Sequence, residues 1–583
     1  MQLKPESMFS STMWSVIQCC AAAVVLTLFC GISDGYAQQE GDSPNTLLPE
    51  IDPQDIEIRS EFTARFPGIR RQPILGFNPN PRVYQIDPGR EPFMETQEQV
   101  VANLPITDLS RPAAPEYVPL PYEPPISAYG RLGGGSFLSP EAEFWGVYEL
   151  SDRTHLGGAL DYRSGDGHLD ARSSSFRFLD ADAEFAARLG ERTRLKLKGG
   201  GQSDFNYLPD GPAIAYDGSR KTYGSFNLGA ELRNFKNSIE GWEAIAGYSY
   251  YGVDLEAATL SSETNEESVY NASFSKRWAG KHVQETLTLK LGGRGGEYAA
   301  ESVAGTQQWA TLQGGVMYQR LFDYSTQVTL EAAGAYAENA VESRFYFAPT
   351  AEVKHWIQDN LTVTAGVEGR PYHSAYRKHH QFNRFYHGTG LLRHTYRIDG
   401  RAEIEFEFLE GSSLKAGIGY MTAQNFPYYR LSTRSDATGD GYGFYSVNYM
   451  DANRIRGFAG ITHQLIPETF WFHAQAYIQK PKLDDGNDIP FEEDWGINSG
   501  FSLTPFDKLT LEVWGDYVSE RSTIAAGTLD GFLLMGGRVD IRITDTIGVY
   551  AKLLNLLSQE YEIWSGYQER PFQAYGGLTV KLD

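Results

Sequence analysis

The stretch Thr546–Asp583, TIGVYAKLLNLLSQEYEIWSGYQERPFQAYGGLTVKLD, decides the fold. Ile547, Val549, Ala551 and Leu553 alternate with Gly548, Tyr550 and Lys552, and after a loop the chain returns through Phe572–Leu582. Successive side chains of a strand point to opposite faces, so this is a hairpin with one apolar and one polar face. The same unit recurs upstream to about Ile126. Leu195 and Leu197 alternate with Arg194, Lys196 and Lys198, and Leu287, Leu289 and Leu291 with Thr286, Thr288 and Lys290. Ile404, Phe406 and Phe408 alternate with Glu403, Glu405 and Glu407. Phe472 alternates with His473, and Ile541 with Asp540.

The connections alternate as well. Short turns such as Leu150–Arg153, Gly190–Thr193, Glu410–Ser412 and Thr544–Thr546 are interleaved with longer polar links, among them Asn206–Arg220, Ser374–Gly390, Arg430–Gly441 and Lys480–Glu493. About 22 strands fit between Ile126 and Leu582, the longest span, 442–465, being the least well bounded. An even count returns the last strand to the rim where the first began. Short turns on one rim and long loops on the other suit a transmembrane antiparallel β-barrel. A soluble sandwich would show the same alternation with its faces reversed. The strand number, the unequal rims and the lack of a linker after Ile126 favour the barrel, which closes because hydrocarbon cannot satisfy an open sheet edge. The expected lipid-facing residues are Leu195, Leu289, Phe406, Phe472 and Ile541. The expected lumen-facing residues are Lys196, Glu403, Glu405, Glu407, His473 and Asp540.

The 583-residue chain begins with a segment that reads as an export signal, residues 1–37: Lys4, the apolar run Ser15–Ile32, and Gly35-Tyr36-Ala37 before Gln38. All three cysteines, Cys19, Cys20 and Cys30, fall inside it, so the expected mature chain has no disulfide and no cysteine metal site. No later segment has 18 consecutive apolar residues, which excludes a bundle of membrane helices. Net charge is -23, leaving no basic footprint for nucleic acid. Sixty glycines and 35 tyrosines suit strands with aromatic girdles. Residues 38–125 differ in texture, with prolines at 112, 115, 119, 121, 124 and 125. They read either as a periplasmic tail or as a segment that enters and narrows the barrel, residues 126–583.

LLNLLSQEYEIWSGYQERPFQAYGGLTVKL (Leu553–Leu582) resembles the closing strands of TonB-dependent receptor barrels, and YGRLGGGSFLSPEAEFWGVY (Tyr129–Tyr148) resembles the first barrel hairpin of TonB-receptor-like proteins. The resemblance covers roughly residues 126–583 and implies an outer-membrane barrel concerned with solute uptake. Two departures limit it. The chain ends on Asp583 rather than an aromatic residue. Only about 88 proline-rich residues precede the barrel, where the family carries a plug of roughly 120 or more. The nearest stretch to a TonB box is DIEIRSEF (Asp55–Phe62). The resemblance therefore carries the barrel over, without the plug or the energised mechanism.

No nucleophile elbow, phosphate loop, zinc-protease or dinucleotide motif is present, and no enzyme activity or cofactor is expected. The densest group of histidines lies in HSAYRKHHQFNRFYHGTGLLRH (His373–His394), with Arg377, Lys378, His379, His380 and Arg384 forming a basic loop on the long-loop rim. Its simplest reading is an exposed positive patch touching anionic lipid sugars. Ligand or metal capture and an inward-folded constriction are the alternatives. The acidic loop with Asp484, Asp485, Asp488, Glu492, Glu493 and Asp494 lacks EF-hand spacing and reads as a solvated loop. For the close carboxylates Glu403, Glu405 and Glu407, candidate counter-charges are Arg194, Lys196, Lys198, Arg538 and Arg542. The expected partners are outer-membrane lipid, lipopolysaccharide and an unidentified solute, with a periplasmic protein as a further candidate. Passage of solutes is the first functional reading; a structural or surface-display barrel docking an envelope partner is the alternative.

Overall fold

The computed structural model describes residues 127–168, 175–207, 220–237, 239–256, 263–282, 284–300, 305–386, 390–431, 445–466, 469–524 and 527–582. The expected signal and the segment 38–125 lie outside the described residues. From Ala128 each strand pairs antiparallel with the next, and the first strand, Ala128–Gly135, pairs antiparallel with the last, Gln573–Leu582. The ring of 22 strands is therefore closed.

Its count depends on one interruption. Ser343–Phe347 and Thr350–Gln358 both pair with Thr326–Glu338 and together form a single barrel strand. The break falls at Ala348-Pro349, where proline has no N–H for the ladder. Tyr445–Ile466 is one strand of 22 residues, paired along most of its length with Ser412–Leu431. At about 3.3 Å per residue such a strand far exceeds the thickness of a bilayer core even when tilted, so its end extends the wall toward the long loops.

Register shifts of a residue or two are concentrated at the short turns, as between Glu149 and Ser151 and between Gln464 and Ile466. The first strand of the closing hairpin runs Ile547–Leu554 and stops there. Asn555 takes a φ of 48°, and its side-chain amide donates to the carbonyls of Gln559 and Arg570. Asparagine tolerates this left-handed conformation better than most residues, so it turns the chain out of the sheet.

Directly paired residues share a face, which lets the register carry each assignment around the ring. Lys196 lies opposite Glu231, Glu405 opposite Lys415, His473 opposite Gly500, and Asp540 opposite Tyr550. Leu195 lies opposite Leu232, Leu289 opposite Val316, Phe406 opposite Leu414, Phe472 opposite Phe501, and Ile541 opposite Val549. The outer face carries Leu228, Ile418, Ile455 and Ile478, all largely exposed, with Ile478 at 61%. The interior face carries ion pairs such as Arg131–Glu143, Lys196–Glu184 and Lys290–Glu331.

Candidate functional site

The interior is occupied at the long-loop end by part of the chain itself. After the strand Leu361–His373 the segment Ser374–Tyr386 turns inward and forms a seven-residue helix, Tyr376–Phe382. Tyr376, His379, His380, Phe385 and Tyr386 are all buried. They pack against wall residues Tyr251, Tyr298, Tyr429 and Tyr445, and against Trp564 and Tyr567 from the last long loop. The Tyr376 and Tyr298 rings stack at 4.8 Å, and those of Phe385 and Tyr567 at 3.5 Å. The Tyr251 hydroxyl lies 2.7 Å from His380 Nδ1, and the Tyr429 hydroxyl 2.9 Å from His379 Nδ1.

The basic loop folds inward, the constriction among the readings above, with its two histidines buried, Arg377 and Arg384 half-buried and Lys378 exposed. His379 and His380 are each 2% exposed. The cations lie across aromatic rings: Arg377 over Tyr251, Lys378 over Tyr372 and Arg384 over Phe385. Arg384 also pairs with Glu569 at 3.1 Å. Such contacts are favourable when partly desolvated, and the guanidinium stems cover apolar surface. Burial, reinforced by the neighbouring Arg294, Arg397 and Arg370, lowers the pKa of Lys378. Burial together with the adjacent Lys378 pushes His379 down to about 3.

Two wall residues that the sequence pattern did not single out hold this segment. Glu267, 2% exposed, accepts hydrogen bonds from the amides of Tyr376 at 2.7 Å and Arg377 at 3.0 Å. Ala375, the capping residue of the helix, has no side-chain oxygen to do this. Lys221, 1% exposed, donates from Nζ to the carbonyls of Arg384 at 3.0 Å and Tyr386 at 2.7 Å. The return of the chain is tied down by Gln307, which donates to the Gly390 carbonyl and accepts from the Leu392 amide. The signal that could have shown an inward fold is the density of Tyr and Phe among the basic residues of 372–386, because an exposed loop rarely carries so many rings.

The other expected residues are placed as follows. Lys196 pairs with Glu184 at 2.6 Å, and Asp540 with Arg538 at 2.6 Å. Glu403 pairs with Lys415 on the adjacent strand at 3.4 Å, so its counter-charge is not among the five cations proposed from sequence. Glu407 accepts from the Gly411 amide at 3.4 Å. His473 Nε2 lies 3.0 Å from Asn498 Oδ1. The acidic loop is only partly solvated. Asp488 pairs with Lys482 and Glu492 with Arg454, and Tyr477 donates to Glu493. Burial raises the pKa of Glu492 despite Arg454. Among the described residues no group of three or more His, Cys, Asp or Glu is arranged to hold a metal ion.

No family model and no curated protein matches the sequence. Solved structures do match the fold. The ferric-catecholate import receptor Fiu from E. coli K12 superposes with a TM-score of 0.60 at 11% identity, over 79% of this chain and 82% of that one. The siderophore receptor PiuA from Acinetobacter baumannii gives 0.63 at 8% identity, over 79% and 82%. The copper transporter OprC gives 0.62 at 12% identity, over 79% and 81%. The barrel is similar in fold to the barrels of these three proteins. At these identities the likeness is one of fold, and the closed ring of 22 strands carries it.

Proposed function

We propose that this TonB-receptor-like barrel sits in the outer membrane and takes part in the passage of a solute. The observation that carries this reading is the closed ring itself, which encloses a charged interior and presents Leu, Ile, Val and Phe outward. Rings of this width leave a lumen that something must fill. The segment Ser374–Tyr386 does so at the long-loop end. The matched structures, by their names an import receptor, a siderophore receptor and a copper transporter, support solute passage as the task of the fold.

The membrane reading is tested by two neighbouring residues. Ala476 is on the face of Ile478 and Phe472, and Gln475 on the face of His473 and Tyr477. Ala476→Arg should cost about 2–4 kcal/mol if it lies near mid-bilayer, and Gln475→Arg much less. Reversible urea unfolding in liposomes measures both; equal costs would refute the facing.

Passage is tested in planar bilayers. The full chain should conduct weakly, and a variant with Ser374–Tyr386 replaced by a Gly-Ser linker should show larger steps. Deleting residues 38–104 in both backgrounds separates any contribution of the N-terminal segment. No conductance in any of the four forms would refute a solute path.

A further inference from the structure

We infer that Ser374–Tyr386 is a releasable gate, latched by the two buried wall charges Glu267 and Lys221. This rests on the solute-passage reading for its purpose, though not for its geometry. Glu267 and Lys221 come from different barrel strands, Glu263–Ala279 and Arg220–Phe235, and each grips one end of the segment. Glu267 holds its first amides, and Lys221 its last carbonyls. Both charges are almost wholly removed from water. A buried carboxylate or ammonium is costly unless hydrogen-bonded, and here backbone groups of the segment supply those bonds. The segment is thus required by the wall as much as the wall is by the segment.

The rest of the contact is poorly satisfied. Both ring nitrogens of His373, the side-chain nitrogen of Asn383 and the hydroxyl of Tyr386 are buried without hydrogen-bond partners. Each such group costs about 1–3 kcal/mol relative to water. Lifting the segment would hydrate its own two, on Asn383 and Tyr386, which offsets part of the aromatic packing that is lost. A permanent plug would be expected to satisfy its polar groups or to do without them. A segment gripped at both ends, with unpaired polar groups between them, is one whose closure depends on the two end contacts. Released from the latch, it can move as a unit, because its remaining contacts are ring faces and side-chain bonds, Tyr251 to His380, Tyr429 to His379 and Arg384 to Glu569, with one backbone bond from the Tyr445 amide to the Phe385 carbonyl rather than a sheet ladder.

Thiol labelling tests the latch. Ala375 is 3% exposed and lies at the Glu267 end. Ala375→Cys is introduced into the full chain with Cys19, Cys20 and Cys30 changed to serine, and treated with a polyethylene-glycol maleimide. With the latch intact, labelling should be slow. With Lys221→Met or Glu267→Gln it should be at least about tenfold faster, the equivalent of 1.4 kcal/mol of lost closure. Barrel integrity is read from retained heat-modifiable gel mobility. Should one variant fail to form a barrel, the other carries the test. Equal labelling rates in a folded variant and in the latched protein would overturn the inference. Conductance in the same variants speaks separately to solute passage: faster labelling without any new conductance leaves the latch standing and removes the reading of a solute path.

Discussion

Replacing Glu141 by alanine is expected to destabilise the barrel by about 3–5 kcal/mol, the cost of removing one partner from a buried charged cluster. Glu141 is 5% exposed, at the start of the second strand. It receives Lys552 Nζ at 2.8 Å and the Tyr550 hydroxyl, with Arg131 at 4.0 Å. Tyr550 and Lys552 belong to the penultimate barrel strand, Ile547–Leu554. Between them and Glu141 run the last and the first strands, so the carboxylate reaches across the seam that closes the ring. Glycines make the reach possible. A Cβ at Gly133 would collide with the Tyr550 hydroxyl, and one at Gly577 with the Leu132 carbonyl and the Tyr550 ring. Gly577→Ala meets backbone there, which cannot swing aside, and should itself cost about 1–3 kcal/mol. Urea unfolding in liposomes, followed by tryptophan fluorescence, reads both. A Glu141→Ala barrel within about 0.5 kcal/mol of the parent, the range of an unremarkable surface change, would mean that the seam is held by its ladder alone.

This seam shows what the sequence can and cannot convey. The alternation of Ile547, Val549 and Ala551 with Tyr550 and Lys552 is a local period, and local periods determine the strands, their facing and, through the turns, their number. The two glycine-rich stretches at either end of the barrel are visible as texture. Their reason is not, because it lies in a contact between residues more than 400 positions apart. On the same ground the inward fold of Ser374–Tyr386 stood only as an alternative to an exposed patch. Arg377, Lys378 and Arg384 promised solvent, while the groups that draw the segment inside, Lys221 and Glu267, look like ordinary polar positions in RKTY and EESVY. Nothing periodic relates position 221 to 384 or 267 to 376. Glu403 was likewise assigned distant counter-charges when its partner, Lys415, lay one turn away on the adjacent strand. A strict strand pairing from the short turn Glu410–Ser412 brings these two residues close, so that contact was open to a reading of register.

Acidification is expected to release the inward segment, with His379 as the responsible group. Its ring is buried, with Nδ1 at the Tyr429 hydroxyl from the strand Ser412–Leu431. Tyr386 of the same segment packs on it at 5.6 Å, and Lys378 and His373 add positive or potentially positive neighbours. No carboxylate is among the groups that shift it. Closed, the imidazole titrates at about 3; lifted into water it returns toward about 6.5. The closed form therefore binds the proton less readily. Its full stability is present above about pH 6.5 and is lost as pH falls toward 3, at about 1.4 kcal/mol per pH unit. At pH 4.5 the loss is about 3 kcal/mol, a shift toward the open form on the order of a hundredfold. Single-channel recordings between pH 7.5 and 4.5 should show openings that multiply with acid. In His379→Gln, which cannot take up the proton, that rise should flatten. Glu267, which accepts from the first amides of the segment, and His380, bonded to Tyr251, are further titratable groups against it. For this reason Glu267→Gln and His380→Gln accompany the test. Should the acid response of His379→Gln coincide with that of the parent while either companion abolishes it, the proton acts elsewhere on the latch. The two-state character of the segment would then rest on its end contacts rather than on the ring at its centre.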